Sequence, residues 1–231
     1  MGYNIYMKRM LLMFCGIIAV VNIFAFTGGD EEYNCPLCNT NFEAFTQFSY
    51  TIFGQNLDLR PYGAAIIPTP VPKCPNCNLV FFDDLFTEEE IIILREILEI
   101  NNLFTNEPDM PNYYYLAREA ELVGKSLNNI IWWFLSAVWE NGNEDNNLTL
   151  INITIENIDK LAETDGSYNS YQMVKLDLLR RSGQFKEALE LINKIKANEG
   201  YYDGIIVIII NRQIELIENK DQKEHPIPRG N

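Results

Sequence analysis

Histidine is nearly absent from this chain: its one copy, His225, sits in a polar stretch that also holds Pro226 and Pro228. A single imidazole outside any motif leaves little for histidine-dependent acid–base chemistry, or for the mixed His/Cys ligand sets of catalytic zinc. Positive charge is scarce too. Lys and Arg number 18 against 32 Asp and Glu, a formal net charge of -14, which opposes binding to nucleic acid or to anionic lipid surfaces. Between Gly28 and Phe86 the imbalance is sharper: Asp30, Glu31, Glu32, Glu43, Asp58, Asp83 and Asp84 face only Arg60 and Lys73. The nucleotide-binding and nucleophile-elbow patterns G-x-x-x-x-G-K, G-x-G-x-x-G and G-x-S-x-G do not occur, which removes the usual phosphate-cradling and serine-hydrolase readings.

Cysteine is rare but patterned. Four of the five copies fall in two tetrads, Cys35-Pro36-Leu37-Cys38-Asn39 with Phe42 and Cys74-Pro75-Asn76-Cys77-Asn78 with Phe81, both reading C-P-x-C-N-x-x-F. Proline sets the backbone of a tight turn, asparagine suits a left-handed position, and phenylalanine supplies an apolar anchor. Two such knuckles offer four thiolates, the ligand set of a structural zinc, so Cys35, Cys38, Cys74 and Cys77 are the expected Zn2+ ligands. The 35 residues between the pairs are a modest obstacle, because loop-closure cost grows only with the logarithm of length. Disulfides or free thiols are the alternatives. Pairing within each C-x-x-C would not explain why Pro, Asn and Phe recur in both copies, and a thioredoxin-like redox motif needs a helix after the first pair. Residues 42–52 alternate at period two instead, as a strand does.

Residues 1–27 resemble an export signal: Lys8 and Arg9 precede an apolar run from Met10 to Phe26 broken only by Asn22. About 17 residues can just span a bilayer if the segment is not cleaved. An exported chain, periplasmic or membrane-anchored and facing the periplasm, is expected, with a cytoplasmic location as the alternative. The proline-rich stretch 54–72 reads as an irregular excursion. Thr87-Glu88-Glu89-Glu90 is a capping box that opens a helix running to about Leu103, followed by a linker holding Pro108 and Pro111. Later residues read as helices, with Trp132, Leu135 and Trp139 on one core face. A hairpin turns at Gly183, where Phe185 locks the turn and Ala188 lets the helices approach. The final helix, apolar all round over Ile205–Ile210, is expected to be sandwiched between neighbours.

Together these features resemble an uncharacterised bacterial family, a domain of unknown function in which paired C-P-x-C motifs and an acidic helix precede tetratricopeptide-like helices. The matching segments are Tyr33–Phe86, Lys175–Lys196 and Gln213–Glu218, with Asn39 and Asn78 standing where the family usually has glycine. The resemblance adds a repeat-like C-terminal half. The expected fold is mainly α with a small β zinc ribbon: an export segment over 1–27, the ribbon and its following helix over 28–107, a TPR-like α-helical domain over 108–220 and a disordered tail over 221–231. The expected function is a non-enzymatic protein–protein interaction scaffold that binds a protein or peptide on the helical domain, with no nucleic acid and membrane contact only through the N-terminal segment. The alternative is an extracytoplasmic thiol–disulfide redox protein using the C-x-x-C pairs.

Overall fold

The computed structural model describes residues 26–82, 84–101, 110–141, 144–198 and 204–228. The expected export segment lies outside these residues up to Ala25, as does most of the linker expected over 101–111. What is described is mostly helical, with two small antiparallel sheets and a cluster of four cysteines.

β1 (Thr27–Asn34) pairs with β2 (Asn41–Ser49), and the first knuckle is the turn between them. β1 was not legible as a strand, since TGGDEEYN has neither alternation nor β-branched weight; its pairing follows from the turn, which holds it beside β2. The strand expected over 42–52 breaks at Tyr50: β3 (Thr51–Gln55) starts a second hairpin with β4 (Pro61–Ala64), which reaches into the 54–72 segment expected to be irregular. Pro61 is tolerated because it opens its strand at the sheet edge. The second knuckle lies between Lys73 and Val80, which pair across it in an isolated bridge.

The capping box forms as expected at the start of α1 (Glu88–Asn101). The Thr87 N–H donates to Glu90 Oε2 at 2.8 Å, and the Glu90 N–H returns a bond to Thr87 Oγ1 at 3.3 Å. α2 (Asn112–Leu122) and α3 (Leu127–Glu140) form an antiparallel pair broken at Gly124, whose φ of 71° suits glycine. α4 (Glu144–Ile158) packs on α3. α5 (Tyr168–Arg181), α6 (Phe185–Ala197) and α7 (Gly204–Glu218) complete the chain of helices. Gly183, at φ 78°, turns the α5–α6 hairpin, and Ala188 is fully buried with Leu191, Ile192 and Ile195 at helical spacing.

Two apolar clusters result. The smaller lies under the knuckles with Ile91 and Leu94 of α1, and the larger joins α2–α7 and also takes in Leu57 and Val71 from between the cysteine pairs and Val80 from just after the second. Contacts therefore cross the expected boundary at 107/108: Asn112 Nδ2 donates to the Val71 carbonyl at 3.2 Å and Tyr113 Oη to that of Thr69 at 2.9 Å.

Three expectations change. Trp132 is exposed, because α3 buries most of its circumference and the buried ring is Trp133; Trp132 sets its edge against Trp139 at 5.2 Å. Ile205 and Ile208 of α7 are exposed, so only one side of that apolar run is covered, through Ile209 and Ile210. The tail expected to be disordered instead forms a strap over residues 221–228. Arg180, wholly buried, donates to the carbonyls of Asp221 and Lys223, while the Leu57 N–H donates to the His225 carbonyl at 2.9 Å and the Ile227 N–H to that of Gln55 at 2.8 Å. Beneath the strap, Asp58 accepts from Arg181 Nη1 at 2.6 Å, from Trp139 Nε1 at 3.0 Å and from the Arg60 N–H at 3.0 Å. Burial pushes the Asp58 carboxyl up to about 6, with the nearby Asp177 charge adding to the effect and Arg181 opposing it.

Candidate metal centre

The two knuckles are built alike. In the first, the Cys35 N–H donates to the Thr40 carbonyl at 3.0 Å and the Asn39 N–H to that of Cys35 at 2.8 Å; in the second, Cys74 N–H donates to Leu79 and Asn78 N–H to Cys74, at 2.8 and 2.9 Å. Each turn needs a left-handed residue one place after its second cysteine. Asn39 at φ 57° and Asn78 at φ 62° supply it, the role that their sequence position suggests. The repeated phenylalanines meet each other: Phe42 and Phe81 pack edge to face at 6.1 Å, and Tyr33 closes the trio at 5.9 Å from Phe42 and 6.2 Å from Phe81.

This pairing brings Cys35, Cys38, Cys74 and Cys77 together, with all four Sγ atoms within 4.8 Å of one another. The closest approaches link one knuckle to the other, Cys35 to Cys77 and Cys38 to Cys74, both at 3.5 Å. The four are free cysteines, Cys35 and Cys74 fully buried. No other group of three or more potential ligands is found among the described residues. His225 takes no part, its Nε2 lying 3.0 Å from Asp221 Oδ2 in the strap.

The donor set fits a soft, tetrahedral divalent ion. Four sulfurs at a typical zinc–thiolate distance stand about 3.8 Å apart, close to the 3.5 Å approaches here and inside the 4.8 Å within which all four lie. The four thiols do not share one protonation behaviour. Burial pushes the Cys35 thiol up to about 11 and raises Cys77 further. At Cys38 burial also pushes upward, but hydrogen bonds from Thr40 and Asn76 outweigh it and bring the thiol down to about 6. Four sulfurs in one apolar shell cannot all ionise without a cation to offset their mutual repulsion.

Residues outside the tetrads steady this shell, and no spacing rule marked them. Arg95 of α1 donates from Nη2 to the Leu37 carbonyl inside the first knuckle at 3.0 Å. Glu119 of α2, fully buried, accepts from the Val80 N–H at 3.0 Å just after the second knuckle; burial holds its carboxyl well above the ordinary range, and its Oε2 has no hydrogen-bond partner. The three glutamates at the start of α1 belong to the cap and the surface, with Glu90 paired to Lys125 at 2.7 Å.

A groove of about 680 Å³ runs between α4, α5 and α6. Its floor includes Ile155, Leu179, Leu191 and Ile195, and its walls carry Asp159, Glu163, Glu187 and Glu190 against Lys175 and Lys194. Among the described residues, no helix is long and apolar enough to cross a membrane. No family model matches the chain, and no curated protein or solved structure does either.

Proposed function

We propose that this chain is an exported, non-enzymatic scaffold: a zinc ribbon, closed by Cys35, Cys38, Cys74 and Cys77, that braces a TPR-like helical half which binds a protein segment. The single observation that carries the binding role is the groove between α4, α5 and α6. An apolar floor under walls with four carboxylates and two lysines suits an amphipathic segment whose polar side is basic. Lys175 is engaged by Asp159 and Glu190 by Lys186, which leaves Glu163 and Glu187 against Lys194 on the walls. Repeats of this kind present side chains from successive helices on one continuous surface. The likeness of residues 33–86 and 175–196 to the C-P-x-C and tetratricopeptide-like family supports the same architecture.

The metal is structural in this reading. Four protein thiolates fill a tetrahedral zinc and leave no position for water or substrate. Zinc bound there supplies folding energy to a ribbon with a small core of its own. The export reading rests on Lys8, Arg9 and the apolar run that follows them.

The test is titration of the full chain with two synthetic amphipathic peptides that share one apolar face, one with a lysine-rich and one with a glutamate-rich polar face. The lysine-rich peptide should bind, weaken as salt rises, and lose affinity to the Glu187→Lys/Glu190→Lys variant. Equal binding of both peptides, or indifference to that variant, contradicts the proposal. Turnover of a disulfide substrate by the metal-free chain would instead favour the thiol–disulfide alternative.

A further inference from the structure

Among the described residues, a group of exposed aromatic rings lies away from the groove, at the open end of the β1–β2 hairpin. Phe26, Phe48, Tyr50 and Phe53 are 42, 55, 56 and 45% exposed, and Phe45 is exposed beside them. Patches of this kind on a folded domain mark contacts with a protein or a membrane.

The rings stand on both faces of the hairpin. A Cβ at Gly28 would meet the Phe45 ring at 2.4 Å, and one at the neighbouring Gly29 would meet the Phe48 ring at 3.4 Å. Successive strand residues point to opposite faces, so aromatic rings stand on both faces of this end, beside the exposed hydroxyl pair of Thr27 and Ser49. A partner docking on one face would leave the other ring in water, whereas immersion covers both.

Charge is distributed along the hairpin in the complementary sense. Phe45 lies opposite Asp30, but its ring leans over Gly28 toward the open end. Asp30, about 10 Å from the Thr27 end at strand rise, marks the near edge of the charge, and Glu31, Glu32 and Glu43 lie beyond it toward the knuckle, all four exposed. The aromatic end also adjoins a cleft of about 620 Å³ that shares Tyr50, Ile52, Phe53 and Ile66 with it and has no ionised side chain in its lining. What leads into this end is decisive: the apolar run Met10–Phe26 finishes on the first of the exposed aromatics, and β1 begins at the next residue.

We propose that the open end of the β1–β2 hairpin is an interfacial membrane contact, with Phe26, Phe45, Phe48, Tyr50 and Phe53 seated in the headgroup region of a zwitterionic bilayer. The proposal rests on the export reading, in the form in which residues 10–26 stay attached as an anchor. Aromatic rings gain by occupying the interface, and the carboxylates toward the knuckle disfavour an anionic surface. The contact holds the ribbon upright on the membrane and turns the knuckle end away from it.

The test uses the full chain in nanodiscs of phosphatidylcholine, with ordinary or with brominated acyl chains. Phe48→Trp and, separately, Tyr50→Trp add one indole at the patch, and Leu148→Trp adds one at an exposed position of α4. The emission added at positions 48 and 50, taken as the difference from the parent chain, should be quenched by brominated lipid, and that at 148 should not. A chain that fails to associate with lipid at all overturns the anchor reading and this proposal with it. A chain that associates, yet shows no quenching at 48 or 50, leaves the anchor standing and overturns the interfacial contact; a blue-shifted, unquenched indole would place a second copy or the N-terminal run over the patch.

Discussion

Replacing Arg180 by leucine removes the cation that ties α5, α7 and the C-terminal strap together. The guanidinium is wholly buried and donates from Nε to Gln213 Oε1 at 3.0 Å, from Nη2 to Asp177 Oδ1 at 2.8 Å and to the Lys223 carbonyl at 2.8 Å, and from Nη1 to the Asp221 carbonyl. Without it Asp177, 1% exposed, keeps only the Gln213 amide, whose Nε2 donates at 2.9 Å. Breaking a buried pair from one side costs about 3–5 kcal/mol, because a charge is left uncompensated. For a chain of this size each kcal/mol lowers the midpoint by about 2–4 °C, so a fall of roughly 6–20 °C is expected. Thermal unfolding followed by circular dichroism measures it, and hydrogen exchange locates it. The amides of Leu57 and Ile227, which donate to the strap and to Gln55, should lose protection before the helices do. Adding Asp177→Leu should recover part of the loss in midpoint but not the protection of the strap. A change under about 1 kcal/mol, or a strap as protected as in the parent, would refute the reasoning.

Two further outcomes are expected. Ala188→Leu should cost roughly 1–3 kcal/mol by overpacking the fully buried contact of α6 with its neighbours, and a neutral midpoint would mean the helices do not cross there. Asp58 titrates in the folded chain at about 6, above the ordinary value near 3.9, so its contribution to stability is present below about pH 4 and lost as pH rises through about 6. Chemical denaturation across that window should therefore show the parent losing stability relative to Asp58→Asn as pH increases; a relative gain would contradict the assignment.

Much of the metal centre was legible because its turns are local. Cys-Pro-x-Cys-Asn dictates a knuckle within five residues, and Asn39 and Asn78 adopt the left-handed backbone that their position suggests. The Thr87–Glu90 capping box and the turn at Gly183 are local in the same way. What escaped depends on residues far apart in the chain. β1 exists because the knuckle places it beside β2, and Asp58 lies buried because Arg181 and Trp139 reach it across 123 and 81 positions. The strap is ordered by Arg180 from 41 and 43 positions away, although its own composition, with two prolines and several charges, suggests disorder. The error at Trp132 has another cause: when a helix is buried on most sides, periodicity no longer distinguishes the ring that faces the core from its neighbour.

The central claim is that two matched knuckles exist to hold one metal ion. Native mass spectrometry of the full chain, purified without chelator, tests it most directly. The account predicts one zinc per chain, with Cys35, Cys38, Cys74 and Cys77 protected from alkylation until the metal is removed. A metal-free chain lighter by about four hydrogens, the mark of two disulfides, would contradict it.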